Sequence, residues 1–110
     1  PKTVGLHKAK ELMFTADLID AKEAEKLGMI NHVLPVEELA RKTEGMAKRL
    51  AESAPLAIAL TKATLNKTDM ELDDVLFAEA TAQTLCLGTD DCAEGIAAFK
   101  EKRVPNFIGK

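Results

Sequence analysis

Few of the side chains that do chemistry are grouped in this sequence as chemistry requires. His7 and His32 stand alone, with no Ser, Cys or carboxylate at the spacing of a nucleophile–base pair. A surface or hydrogen-bonded structural role is expected for both. Cys86 and Cys92 flank the break at Gly88. With no further Cys and no paired His, nothing has the spacing of a zinc site, and two reduced thiols packed as small hydrophobes are expected. A disulfide between them stays open in principle. Glu71, Asp73 and Asp74 form an acidic group, but they lie where a helix should begin. There they complement the positive end of the helix dipole, so no metal site is expected. Glu79 interrupts an apolar row between Val75 and Cys86. The sharp reading is a catalytic acid. The reading favoured is a structural carboxylate that pairs with an Arg or caps a neighbouring helix.

The composition sets bounds on what can position such groups. The chain has 110 residues, one ordinary domain at most, of which 46% are hydrophobic and only 4% aromatic, with no Trp or Tyr. The core must be built from Leu, Ile, Val, Met and Ala, which favours closely approaching helices. The net charge is −3, with both signs mixed along the chain. That excludes the basic block or face of a nucleic-acid binder but not an anionic small ligand. No apolar run approaches the roughly 20 residues of a membrane span, and no signal peptide is recognisable. The first residue is Pro1 rather than Met, so translation is expected to begin elsewhere.

The periodicity predicts a string of helices with one short extended piece. Leu6 to Phe14 has Leu6, Ala9, Leu12 and Met13 on one side. Asp20 opens a short second helix, with Glu23 at capping-box spacing and Gly28 where a helix end tolerates positive φ. Met29 to Leu34 is apolar and ends at Pro35, and reads as an extended segment or short strand. Val36 to Ala54 is a long amphipathic helix. Pro55 suits the first turn of the next one, and Leu56 to Leu65 is apolar almost all round, so burial is expected there. Asn66 to Asp69 is a polar break, and Glu71 to Leu87 is a further helix that Gly88 ends. Thr89, Asp90 and Asp91 start the last helix, with capping-box spacing between Asp91 and Glu94, and it runs to about Arg103 before Pro105. Gly95 lies inside it at a cost of about 1 kcal/mol relative to Ala; close backbone approach by another helix or by ligand would explain it, and packing is the reading favoured. A core of this size is marginal, and partners for Leu56–Leu65 are expected outside these residues.

Three stretches carry a family likeness. The first runs Lys10-Glu11-Leu12-Met13-Phe14-Thr15, then Ile19-Asp20-Ala21-Lys22-Glu23-Ala24-Glu25-Lys26-Leu27-Gly28-Met29-Ile30-Asn31 and a Val-Leu-Pro segment. The second is Pro55-Leu56-Ala57 with Lys62 and Asn66. The third is Thr89-Asp90-Asp91, Glu94-Gly95, Ala98-Phe99-Lys100-Glu101-Lys102-Arg103 and Pro105-Asn106-Phe107. In this order they resemble the enoyl-CoA hydratase/isomerase (crotonase) family downstream of its catalytic glutamates.

The resemblance implies a fold class: mainly α, the helical C-terminal segment of the ClpP/crotonase-like fold, with the upstream ββα spiral domain absent. Residues 1–34 would end the core domain, and 35–110 would form a helical trimerisation region. The family uses two backbone N–H groups as an oxyanion hole and one or two glutamates as base and acid to add water across an enoyl-CoA double bond. Those parts are expected upstream, so no catalytic residue and no metal ligand is placed here, and the isolated segment is expected to be inactive. Phe99 and Lys102 stand at the family positions that contact CoA. An aromatic face packs on the nucleotide portion, and an ammonium pairs with phosphate oxygens. Cys92, Ile96 and Phe99 mark one side of the helix, so plain packing of Phe99 stays open, as does a solvated charged end for Lys102. The further implications are no cofactor apart from the coenzyme A of the substrate, an acyl-CoA thioester as partner, a homotrimer or hexamer, no nucleic acid and no membrane. The location implied is cytoplasmic, or the mitochondrial matrix in a eukaryote. Enoyl-CoA isomerase chemistry and a non-catalytic helical oligomerisation module are the alternatives. The lack of Tyr counts against the naphthoyl-CoA synthase branch.

Overall fold

A computed structural model describes residues 1–67 and 70–110. The described residues form six α-helices in chain order: α1 (Leu6–Thr15), α2 (Ala21–Lys26), α3 (Val36–Ala51), α4 (Pro55–Leu65), α5 (Leu72–Leu87) and α6 (Asp90–Glu101). Two compact units result, Pro1–Lys42 and Thr43–Lys110, and the division falls within α3. Of the polar break expected at Asn66 to Asp69, Thr68 and Asp69 lie outside the described residues.

In the first unit, α2 shows how local sequence sets helix ends. The Asp20 carboxylate accepts from the Glu23 N–H at 2.8 Å, which satisfies one of the donors a helix start leaves free. At the other end Gly28 takes φ +72°. The Met29 N–H donates to the Ala24 carbonyl and the Gly28 N–H to that of Glu25, both at 2.9 Å. This pair of bonds is the Schellman arrangement, and glycine fills its left-handed position without steric cost. His7 is exposed, and His32 is exposed with Nδ1 3.9 Å from Glu25 Oε1.

The fold expected above, with its short extended piece, is corrected here. Met29 to Asn31 is bend and His32 to Leu34 irregular backbone, and no strand occurs among the described residues. A lone strand has no ladder partner, and the Val33 N–H instead donates to Glu25 Oε1 at 2.9 Å. α3 also stops at Ala51, three residues short of Ala54, and Ser53 caps its end by donating to the Arg49 carbonyl at 2.8 Å.

In the second unit α4 packs on α5 and α5 on α6. The expected burial of α4 is not observed: none of its residues is buried, and Leu65 is 70% exposed. The buried apolar side chains among the described residues are Ala9 and Ala98. Such a core is smaller than the apolar content allows, because leucines and phenylalanines stand along the outside of several helices.

Candidate functional site

The most tightly built part of the chain is α6 with the residues that follow it. Thr89 begins it. The Thr89 hydroxyl accepts from the Cys92 N–H at 3.1 Å and donates to the Cys86 carbonyl at 2.7 Å. One side chain thus closes the start of α6 and the end of α5 together. The capping box expected between Asp91 and Glu94 does not form. Asp91 is only 5% exposed, and its carboxylate accepts from the Ile108 and Gly109 N–H groups at 2.7 and 2.9 Å. The Asp91 N–H in turn donates to the Lys110 carbonyl at 3.1 Å. Glu94 accepts from the Asn106 N–H at 2.7 Å. Residues 106–110 are therefore strapped back along the helix by two of its carboxylates.

Gly95 fits this strap. A Cβ there would lie 3.5 Å from Cε1 of Phe107, so the ring occupies the space over the glycine. The contact is an ordinary one, so the ring packs over Gly95 without itself requiring glycine.

The far end of α6 holds the two residues singled out for CoA contact. Phe99 is 86% exposed, so it is not a core residue of this chain. Lys102 follows the last helical residue at φ 55°, ψ 39°, in the left-handed region. The Arg103 N–H donates to the Ala98 carbonyl at 3.0 Å and the Lys102 N–H to that of Phe99 at 3.4 Å. This is the same Schellman arrangement as at Gly28, now with lysine in the glycine position. The ammonium of Lys102 has no hydrogen bond or ion pair among the described residues.

Beside it, Arg103 forms a fork. Nη1 and Nη2 donate to the two oxygens of Glu94, the latter at 2.8 Å, and Nε donates to Glu101 Oε2 at 2.6 Å. The guanidinium and the Asn106 N–H together hold the Glu94 carboxyl down to about 2. The two carboxylates hold the Arg103 guanidinium above its ordinary range.

The other candidates scatter. Glu79 lines an open groove of about 360 Å³ between α4 and α5 with Ala57, Leu60, Thr64 and Val75. The Arg pairing or helix cap expected for it is not formed among the described residues. Cys86 and Cys92 are free and half-buried. No three His, Cys, Asp or Glu side chains among the described residues lie close enough to hold a metal ion. No helix among them is long and apolar enough to cross a membrane.

Comparison with known proteins decides the family. The family model for enoyl-CoA hydratase/isomerase matches residues 1–110. The chain belongs to the enoyl-CoA hydratase/isomerase family. It is 41% identical over 111 residues to the crotonyl-CoA hydratase of Syntrophomonas wolfei, covering 100% of this chain and 43% of that protein. It is 40% identical to the methylmalonyl-CoA decarboxylase of Escherichia coli, covering 98% of this chain and 42% of that protein. Among solved structures, the enoyl-CoA hydratase of Bacillus anthracis superposes with a TM-score of 0.94 at 35% identity, over 100% of this chain and 43% of that one. The chain thus spans under half the length of these relatives.

The expected fold class, a C-terminal crotonase segment with its upstream spiral domain absent, is corrected by these findings. The family match runs through all 110 residues, and coverage of 43% of a relative does not assign the chain to one end of it. The fold class that stands is the one its backbone forms: six helices in two units among the described residues.

Proposed function

We propose that the protein carrying this chain is an enoyl-CoA hydratase, adding water across the 2,3 double bond of an enoyl-CoA thioester, and that α6 supplies Phe99 and Lys102 as contacts to the CoA portion. The observation that carries this reading is the end of α6. An 86% exposed Phe99 and an unpartnered Lys102 sit at the helix terminus, in a chain 41% identical to a crotonyl-CoA hydratase. The ring offers a face to the nucleotide and the ammonium a partner for phosphate oxygens. Energy gained on this remote part of the substrate holds the thioester where the reaction occurs.

No catalytic role is assigned within these 110 residues, and the 110-residue chain alone is expected to be inactive. The family's oxyanion hole and glutamates perform the hydration. No cofactor is required beyond the CoA of the substrate. The working form is a homotrimer or hexamer. The exposed Leu72, Leu76 and Phe77 of α5 support association of this kind, because contiguous apolar surface is normally covered. The cytoplasm is the proposed location, or the mitochondrial matrix in a eukaryote, where relatives named as mitochondrial support it.

A second reading rests on the 40% identity to a methylmalonyl-CoA decarboxylase. In that reading Phe99 and Lys102 hold the CoA portion in the same way, and the reaction differs at the acyl end. Offering crotonyl-CoA and methylmalonyl-CoA in turn to the full-length protein separates the two. Loss of the enoyl thioester absorbance supports the hydratase. Release of carbon dioxide from the second substrate with no hydration of the first replaces it with the decarboxylase.

A further inference from the structure

Lys102 occupies a backbone conformation that costs a residue bearing a side chain, at φ 55°. The equivalent position after α2 is filled by Gly28 at φ +72°, with the same pair of closing hydrogen bonds. At Lys102 the neighbours on either side are tied to each other: Arg103 Nε donates to Glu101 Oε2 at 2.6 Å. The rest of the guanidinium is anchored two turns back on Glu94, which the Asn106 N–H fixes in turn at 2.7 Å.

Two consequences follow for the ammonium between them. The turn around Lys102 is held at both ends, so its side chain leaves the helix from a fixed point. Glu101, the carboxylate adjacent to Lys102 in sequence, is already engaged by Arg103 and competes less for the ammonium. A guanidinium suits this task because its planar donors reach two carboxylates at once, where an ammonium on a flexible stem does not.

We propose that Arg103 is a positioning residue for Lys102: bridged to Glu94 and Glu101, it fixes the left-handed turn and leaves the Lys102 ammonium open to a phosphate of CoA. This rests on the reading of Lys102 as a CoA contact given above. Arg103 itself touches no substrate.

A double-substitution cycle in the full-length enzyme tests it, with KM and kcat measured for crotonyl-CoA. Lys102→Ala is expected to raise KM about three- to tenfold with kcat within about twofold, the size of one exposed charge contact. Arg103→Gln is expected to raise KM by a similar factor. Combined with Lys102→Ala it is expected to add nothing, because its effect passes through the ammonium. An equal further rise of KM in the Lys102→Ala background, or no rise from Arg103→Gln alone, overturns the positioning role while leaving the CoA contact intact. An unchanged KM in Lys102→Ala itself refutes the CoA contact and the proposal with it. If Arg103→Gln fails to fold, Glu94→Gln replaces it in the same cycle with the same expected outcomes, since it weakens the fork and leaves the guanidinium in place.

Discussion

Replacing Lys102 with glycine should strengthen the fold and weaken the substrate, and the two effects can be sized separately. Lys102 sits at φ 55°, ψ 39°, where an L-residue pays about 1–2 kcal/mol relative to ordinary helical backbone. Glycine pays nothing there but loses about 0.5–1 kcal/mol more chain entropy on folding. The difference leaves Lys102→Gly more stable by about 0.5–1 kcal/mol. Lys102→Ala keeps the strain and removes the ammonium, so its stability should stay within about 0.5 kcal/mol of the parent. Urea unfolding monitored by helical circular dichroism reads this as a higher midpoint for the glycine variant at an unchanged slope. In the full-length enzyme both variants should share the same raised KM for crotonyl-CoA. A glycine variant less stable than the alanine variant would refute the strain argument.

Three further outcomes are expected. Asp91→Ala removes the acceptor for two strap N–H groups and should cost about 1–3 kcal/mol, with faster amide exchange at Ile108 and Gly109 as the direct readout. Gly95→Ala should be neutral or stabilising by up to about 1 kcal/mol, since its Cβ would meet the Phe107 ring at an ordinary 3.5 Å; Gly95→Leu should displace that ring and lower the melting temperature. The Glu94 carboxyl is held down to about 2 from an ordinary 4.5, so its ion pair stabilises the fold fully above about pH 4.5 and is lost as pH falls toward 2. Glu94→Gln should flatten that part of the pH–stability curve, which circular dichroism melts between pH 2 and 6 would show.

The helices were legible in the sequence where their punctuation is local. Gly28, Pro55, Gly88 and the Asp20–Glu23 pair mark ends that the backbone takes up. Where a partner far along the chain decides, spacing misleads. Asp91 and Glu94 have the separation of a capping box, yet both turn to the returning strap, and Thr89 caps alone. Nothing in local spacing announces a partner at Asn106 or Ile108. Gly95, a costly residue in mid-helix, lies against the Phe107 ring but is not required by it. The apolar run of α4 suggested burial, but burial depends on what lies against a helix and not on its own composition. Likewise Met29–Leu34 has strand-like residues and, among the described residues, no strand to pair with. Phe99 and Lys102 came from the family likeness, since an aromatic ring and a lysine near a helix end are unremarkable by type. Their exposure, and the bracket that Arg103 makes around Lys102, needed the three-dimensional arrangement.

The most direct test of the account compares two substrates of the full-length enzyme, crotonyl-CoA and crotonyl-pantetheine, which lacks the nucleotide and its phosphates. Phe99→Ala and Lys102→Ala should each raise KM for crotonyl-CoA about three- to tenfold and leave KM for crotonyl-pantetheine unchanged. Equal changes for both substrates, or none for either, would contradict the assignment of the α6 end to the nucleotide portion of CoA.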